Sequence, residues 1–375
     1  MKILVNCSNL KVGGGIQVAL SFIHESIKFL SNDYCIVANE KVFDQIAIEK
    51  FPSNYKFMKF NYKFNRDSNL YLSKVENDFS PDIVFSIFGP TYWTPTSPHL
   101  MGFARGHTIY HKSLYRKYLN FKNRLFFDLK NNLLIYYTKK NSNNYVVETK
   151  SAQKVLSTML PKNKKVYFVS NTYSSIYDTP SLWETIKMPL KNKNEFWFTY
   201  ICANYPHKNI SILPEVVSHL KKLDQKHQYK IILSINENQV DLSEEQKNNF
   251  IFLGKLNVNQ CPPVYEAADA LLMPSLIETF SASYLEAMKM QCPILTSDLD
   301  FAHDICKDAA IYFDPLNPKE IAAKILQLVS DNILREELIN KGSERLLNFP
   351  TAKERAEQYL EICKIIVNET NNTRS

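Results

Sequence analysis

The stretch ALLMPSLIETFSASYLEAM, residues 270–288, decides the fold. Ala270 to Met273 is a short, wholly apolar run, the signature of a strand buried on both faces. Pro274 to Ser281 turns more polar and carries Glu278, and a helix opens after it. Strand, loop and helix in direct succession make half of a βαβ unit.

The same alternation extends on both sides. Downstream of residue 195, short apolar runs at 196–202, 230–235, 250–253, 293–297 and 310–313 read as further strands, most of them separated by helical stretches. Ser211 reads as an N-cap with Pro214 in the first helical turn, and Ile210, Leu213, Val217, Leu220 and Leu223 keep helical spacing. Upstream, residues 2–7, 81–86, 100–103, 145–148 and 166–170 read as strands of a separate half. Residues 171–193 have mixed polarity and include Pro180 and Pro189, which marks a linker. The expectation is two α/β domains in tandem, 1–185 and 186–350, each a doubly wound parallel sheet. Such sheets bind ligands at the carboxyl ends of their strands, here in a cleft between the facing domains.

Residues 270–288 also carry the clearest chemistry. Glu278 lies in the strand-to-helix loop and Glu286 on the second turn of the helix, eight positions later. The amides of Thr279 to Ala282 are the unpaired donors of a helix start. Amides for an anion, flanked by two carboxylates for hydroxyls, suit a phosphorylated, hydroxyl-rich ligand. At the other end of the chain, Gly13-Gly14-Gly15 follows the first strand and precedes a helix, and these are three of only eight glycines. The loop is either a plain tight turn or a place where a ligand approaches the backbone closely. It lacks the Gly-x-Gly-x-x-Gly spacing of a dinucleotide site.

Composition bounds the rest. The 375 residues are 45% hydrophobic and 22% charged, ordinary globular usage. No apolar run approaches the roughly 18 residues of a membrane span. The N-terminus turns polar after Ile3-Leu4-Val5, too soon for a secretory signal. Seven scattered cysteines with no Cys-x-x-Cys fit a reducing cytoplasm. The net charge is +7, and residues 112–140 alone account for it. That segment holds Lys112, Arg116, Lys117, Lys122, Arg124, Lys130, Lys139 and Lys140 against Asp128, interleaved with Tyr115, Tyr118, Phe121, Phe126, Phe127, Tyr136 and Tyr137. Two readings fit: contact with an anionic membrane surface, or a helical hairpin whose aromatics pack inward beneath a solvated basic face. No nucleic-acid motif accompanies the patch, so nucleic acid is not an expected partner.

The motif Pro-Ser-x-x-Glu-(x)7-Glu-Ala-Met at Pro274 to Met288, followed by Cys292-Pro293-Ile294, resembles the nucleotide-sugar motif of retaining glycosyltransferases with the GT-B fold, family 4. Gly13-Gly14-Gly15, Pro206-His207-Lys208-Asn209, Gly254 and Ala267-Ala268-Asp269-Ala270 match in order. Asn348 to Pro350 and the helix after them resemble the family's C-terminal helix, which implies that residues 351–375 cross back to the first domain. The resemblance is strong over 196–350 and weak over 30–80. It implies a sugar transfer from a nucleoside diphosphate donor to a glycan acceptor, with no cofactor and no metal. By position, it assigns Glu278 to donor-sugar hydroxyls and Glu286 to the ribose. Thr279, Phe280 and Ser281 would offer amides to sugar or phosphate, Lys208 would neutralise the diphosphate, and His107 would lie near the reacting centre. Gly14 and Gly15 would approach phosphate or acceptor. The basic aromatic segment, lying in the acceptor domain, points to a lipid-linked acceptor in surface polysaccharide assembly and to a peripheral place on the inner membrane face.

The chain departs from the family at three places. Ala203 stands where an arginine is usual, so Lys255 or Arg105 must supply the missing charge. Thr108 follows His107 in place of an aspartate, and Thr279 and Ser281 replace glycines. His107 and His207 each also fit a structural hydrogen-bonding role, and His99, His111 and His303 are read as surface or structural. Asp298-Leu299-Asp300 mimics the metal motif of another glycosyltransferase fold but stands alone and out of order. Two other functions fit the same residues. A nucleotide-sugar epimerase would convert donor without acceptor, and a non-catalytic binding scaffold would turn over nothing.

Overall fold

The computed structural model describes residues 1–11, 13–110 and 113–374, with the backbone alone at Tyr118, Thr373 and Arg374. The chain divides into two compact units. The first comprises Met1–His111, Tyr118–Thr172 and Pro350–Ser375, the second Lys112–Lys117 and Tyr173–Phe349.

In the first unit the chain runs β1 (Lys2–Cys7), α1 (Gly14–Ser26), β2 (Asp33–Ala38), β3 (Tyr55–Lys59), α2 (Arg66–Phe79), β4 (Ile83–Ser86), β5 (His99–Gly102), α3 (Phe121–Asn141), β6 (Asn144–Val147), α4 (Lys150–Met159) and β7 (Lys165–Phe168), with shorter turns between. All seven strands are parallel in the order β3-β2-β1-β4-β5-β6-β7. The central strands are buried along almost their whole length, which is why they read as continuous apolar runs. β2 and β3 add to the strands read from the sequence.

In the second unit the order is β8 (Glu195–Tyr200), α5 (Leu213–Leu223), β9 (Gln228–Leu233), β10 (Phe250–Phe252), β11 (Ala270–Met273), α6 (Ala282–Lys289), β12 (Ile294–Ser297), β13 (Ile311–Phe313), α7 (Pro318–Ser330) and α8 (Asn332–Leu346). Its sheet is again parallel, ordered β10-β9-β8-β11-β12-β13. Ser211 is not the cap of α5. It sits in the single 3-10 turn Ile210–Ile212, and the helix starts after it with Ile212 at the N-cap and Pro214 in the first turn. The division between units falls after Thr172, upstream of the composition boundary at 185, because Ile176 and Tyr177 are buried in the second unit's core.

The chain ends in α9 (Ala352–Arg374). This helix belongs to the first unit, where Ala356, Tyr359, Leu360, Cys363 and Ile366 pack with Phe22 and Phe85. Phe85 and Tyr359 meet with ring centroids 5.2 Å apart. At its start the buried Arg355 guanidinium bonds the Asn171 side chain, and the Glu148 carboxyl beside it is pushed up to about 7 by burial.

Candidate active site

In the second sheet, sequence-distant β8 and β11 are neighbours, and the strand order reverses across them. This is the switch point at which doubly wound sheets bind ligands. The loop after β8 carries Lys208 and the loop after β11 carries Glu278. Lys208 ends the 3-10 turn Pro206–Lys208, which Asn209 terminates in the left-handed region at φ 56°. The Asn209 side-chain amide donates to the Pro315 carbonyl at 2.7 Å. The two loops are tied by their backbones, since the Leu276 N–H donates to the His207 carbonyl at 2.8 Å.

Lys208 and Glu278 meet at the centre of this arrangement. Lys208 Nζ lies 2.5 Å from Glu278 Oε1, and the Ser275 hydroxyl donates to the same oxygen at 2.8 Å. Ser275 is buried and paired with the Tyr200 hydroxyl of β8 at 2.5 Å, so the hydroxyl that donates to the carboxylate is itself held by the sheet. The Lys208 and Glu278 side chains are only 16% and 11% exposed. Burial works against the Lys208 charge, but the Glu278 carboxylate outweighs it and holds the ammonium above its usual pKa. Next to it, burial and the Lys208 charge push the His207 imidazole down to about 4. Its ring stacks on Tyr205, with centroids 5.5 Å apart.

Glu286 lies in a different setting. It sits on the second turn of α6, where the Tyr265 hydroxyl donates to Oε2 at 3.1 Å. Burial pushes its carboxyl up to about 7, with the Tyr265 and Tyr177 hydroxyls opposing the shift. The two glutamates are therefore electrostatically unlike. Glu278 is paired with a lysine, and Glu286 is a carboxyl in a tyrosine-lined wall that burial pushes up to about 7. Between them, Thr279 and Ser281 are buried and Phe280 is half-buried, its ring T-shaped to Phe349 with centroids 6.3 Å apart. Ser281 makes no side-chain cap to α6, so the first-turn amides depend on other acceptors.

Lys255 is not brought to this cluster. It is exposed after β10, an edge strand that β9 and β8 separate from β11, and it makes no hydrogen bond or ion pair with Lys208, Glu278 or Glu286. Asp298 pairs instead with His303 at 2.6 Å on an exposed loop, and the His303 ring stacks on Tyr312. Among the described residues no three His, Cys, Asp or Glu side chains gather as metal ligands.

The first unit gathers its own loops at the carboxyl ends of β1, β4 and β5. The Asn9 amide donates to the Phe88 carbonyl at 2.9 Å, and Arg105 Nε donates to the Gly89 carbonyl at 3.2 Å. Within the glycine loop, Gly13 is the residue whose backbone demands glycine, at φ 75°. A side chain at Gly15 would press on Phe88, and one at Gly14 would meet open space. His107 lies on the turn Gly106–Ile109, its ring edge-on to Phe127 at 5.6 Å. The buried Asn131 of α3 donates to the His107 carbonyl at 3.0 Å and accepts from the Thr108 hydroxyl at 3.2 Å. His99 is structural, bridging the Asn141 carbonyl and the Ser86 hydroxyl. His111 and Lys112 lie outside the described residues.

Sequence reasoning missed Tyr200, Ser275, Tyr265 and Asn131, which hold the candidate residues in place. Ser275 stood inside the motif itself. The tyrosines and Asn131 gave no signal, because a buried hydroxyl or amide in an apolar stretch reads as core.

Part of the chain is similar to known proteins. The family described as glycosyl transferases group 1 matches residues 182–345. The chain is 29% identical over 181 residues to the O-antigen chain mannosyltransferase RfbU of Salmonella typhimurium, an alignment covering 46% of this chain and 49% of that protein. The chain thus spans about half the length of this relative, and less of the others. Among solved structures, sucrose-phosphate synthase from Thermosynechococcus elongatus superposes with a TM-score of 0.70 at 12% identity, covering 98% of this chain and 99% of that one. WaaG, a glycosyltransferase involved in lipopolysaccharide biosynthesis, gives 0.68 at 12% identity, covering 97% and 99%. At such identities the likeness shows the fold. Residues 182–345 thus match the glycosyl transferases group 1 family, and the chain has the GT-B fold of two Rossmann-like units.

Proposed function

We propose that the protein transfers a sugar, with retention of configuration, from a nucleoside diphosphate donor to a lipid-linked glycan in surface polysaccharide assembly, at the inner face of the membrane. The Lys208–Glu278 pair at the β8–β11 switch point carries this reading. The leaving group is a diphosphate, whose developing charge needs preorganised donors. Lys208 is a fixed cation on one loop, and the amides around Thr279 to Ala282 lie on the other. In this reading Glu278 accepts from donor-sugar hydroxyls, Glu286 from the ribose, and His107 from the acceptor side of the reaction. The match to a protein named as an O-antigen chain mannosyltransferase supports a growing glycan as acceptor. Residues 112–140 are proposed to meet an anionic lipid surface through their charge.

A panel of nucleotide sugars tests the reading. One donor should raise the melting temperature of the purified protein and be slowly hydrolysed without acceptor. Release of an epimer from that donor would instead make it an epimerase, and stabilisation by none would overturn the donor assignment.

A further inference from the structure

Helix α3 wears its polarity inside out. A surface helix ordinarily buries an apolar stripe. The buried positions of α3 are Asn131, Leu134, Thr138 and Asn141, three of them polar. Hydrogen bonds hold this inner face. Asn131 bonds His107 and Thr108, and Thr138 donates to the Leu134 carbonyl. Asn141 accepts from the Tyr92 N–H and donates to the Thr94 hydroxyl. The outer face carries Phe121, Leu125, Phe126, Leu129, Leu133 and Tyr136, every one more than half exposed, with Phe121 at 84% and Phe126 at 70%. At about 100° per residue these six fall within about 140° of arc, along about 23 Å of helix. The stripe continues beyond the helix, because exposed Phe64 packs against Tyr137, whose ring meets Tyr136.

Exposed lysines frame this surface. Lys122 stands at one end, Lys139 and Lys140 at the other, and Lys130 along its margin. Asp128 is the only acid of the helix. Contiguous exposed apolar surface beyond roughly 300–600 Å² marks an interaction site. Cations at both ends of the stripe match a partner with phosphates at its surface and hydrocarbon beneath, since lysine stems follow apolar surface while the ammonium stays in the polar layer. No helix among the described residues is long and apolar enough to cross a membrane, so α3 would lie in the interface plane.

We propose that α3 inserts this stripe between the headgroups of an anionic bilayer, parallel to the membrane. The proposal rests on the reading that residues 112–140 meet a lipid surface. It adds an apolar insertion that charge attraction alone does not give.

The full chain is sedimented with vesicles of equimolar phosphatidylglycerol and phosphatidylcholine, and with phosphatidylcholine alone, at low and high salt. Wild type should bind the anionic vesicles and keep part of that binding in high salt. Phe126→Ser with Leu129→Ser should weaken binding about tenfold or more without lowering the melting temperature, because both side chains already face solvent. A Phe126→Trp reporter, read as the difference from wild type, should shift its emission to the blue and be quenched by lipids brominated in the acyl chain. If the serine variant binds like wild type, salt releases everything and the reporter is unquenched, insertion is overturned while electrostatic docking stands. If wild type ignores anionic vesicles at low salt, both fail. If it instead forms a dimer that the serine substitutions split, the stripe is a contact between copies and the proposal is overturned.

Discussion

Lys208 and Glu278 lie 70 positions apart in the chain, and their side chains meet at 2.5 Å across the neighbouring strands β8 and β11. The pair is mostly buried, and that makes its two members separable by mutation. Removing one leaves the other as a charge with poor access to water, at a cost of about 3 kcal/mol, whereas removing both does not. Lys208→Met should therefore melt lower than the double variant Lys208→Met with Glu278→Gln. Equal melting temperatures would show that the pair is not coupled as described.

The same lysine is the cation proposed to meet the departing diphosphate. Fixed charge stabilisation of this type is worth a factor of about 100–1000 in turnover. Lys208→Ala should lose that much in donor hydrolysis, and a chelator should leave wild-type activity intact. Strict dependence on a divalent cation would return interest to Asp298 and Asp300.

Glu286 should give nucleotide binding a pH dependence. With its carboxyl pushed up to about 7, it is mainly protonated at pH 6 and mainly ionised at pH 8. Only the ionised form offers charge-assisted acceptors to a ribose, so nucleoside diphosphate affinity should rise through neutrality. Glu286→Ala should lose about 1.5–3 kcal/mol at pH 8, and Glu286→Gln should flatten the profile. Calorimetric titration at both pH values checks this, and unchanged affinity in the folded variant would remove Glu286 from the donor site.

His99 bears on stability. Burial lowers its pKa from 6.5 to about 4 in the folded chain. Below pH 6.5 the unfolded state takes up a proton that the folded state refuses, so folding loses stability as pH falls from 6.5 towards 4 and levels off below. The span amounts to a few kcal/mol. Denaturant melts of wild type and His99→Gln across that range should converge at the acid end.

Asn131 holds the His107 and Thr108 turn from α3. Asn131→Ala leaves a carbonyl and a hydroxyl short of a partner, at about 1–3 kcal/mol. If His107 works near the reacting centre, turnover should fall while donor affinity stays unchanged. A loss of stability alone, with kcat intact, would make Asn131 purely structural.

The alternation of the second unit was legible because its strands are buried on both faces. Ala270–Met273 has no polar residue to blur the run, and Gln228–Leu233 ends on the buried Ile231, Ile232 and Leu233. β3 is not legible, since this edge strand alternates Lys56 and Lys59 with half-buried Phe57 and Met58 and resembles a loop. The spacing of Glu278 and Glu286 was legible, but not their unlike surroundings, which depend on Lys208 and Tyr265 arriving from a distant turn and helix. The polarity of α3 was the least legible. Periodicity shows that a helix has an apolar face and is silent on which way it points, and here Asn131, Thr138 and Asn141 find hydrogen-bond partners that turn it outward.

The return of α9 to the first unit has a consequence for biosynthesis. Residues 1–172 leave the ribosome long before Ala356, Tyr359, Leu360 and Cys363, which wall the core around Phe22 and Phe85. The second unit comprises Lys112–Lys117 and Tyr173–Phe349, and it needs nothing later in the chain to close its sheet. Order of synthesis and order of completion are therefore reversed. The half made first waits with an open flank until α9 has been made, and nascent chains stalled before residue 350 would expose that flank to chaperones.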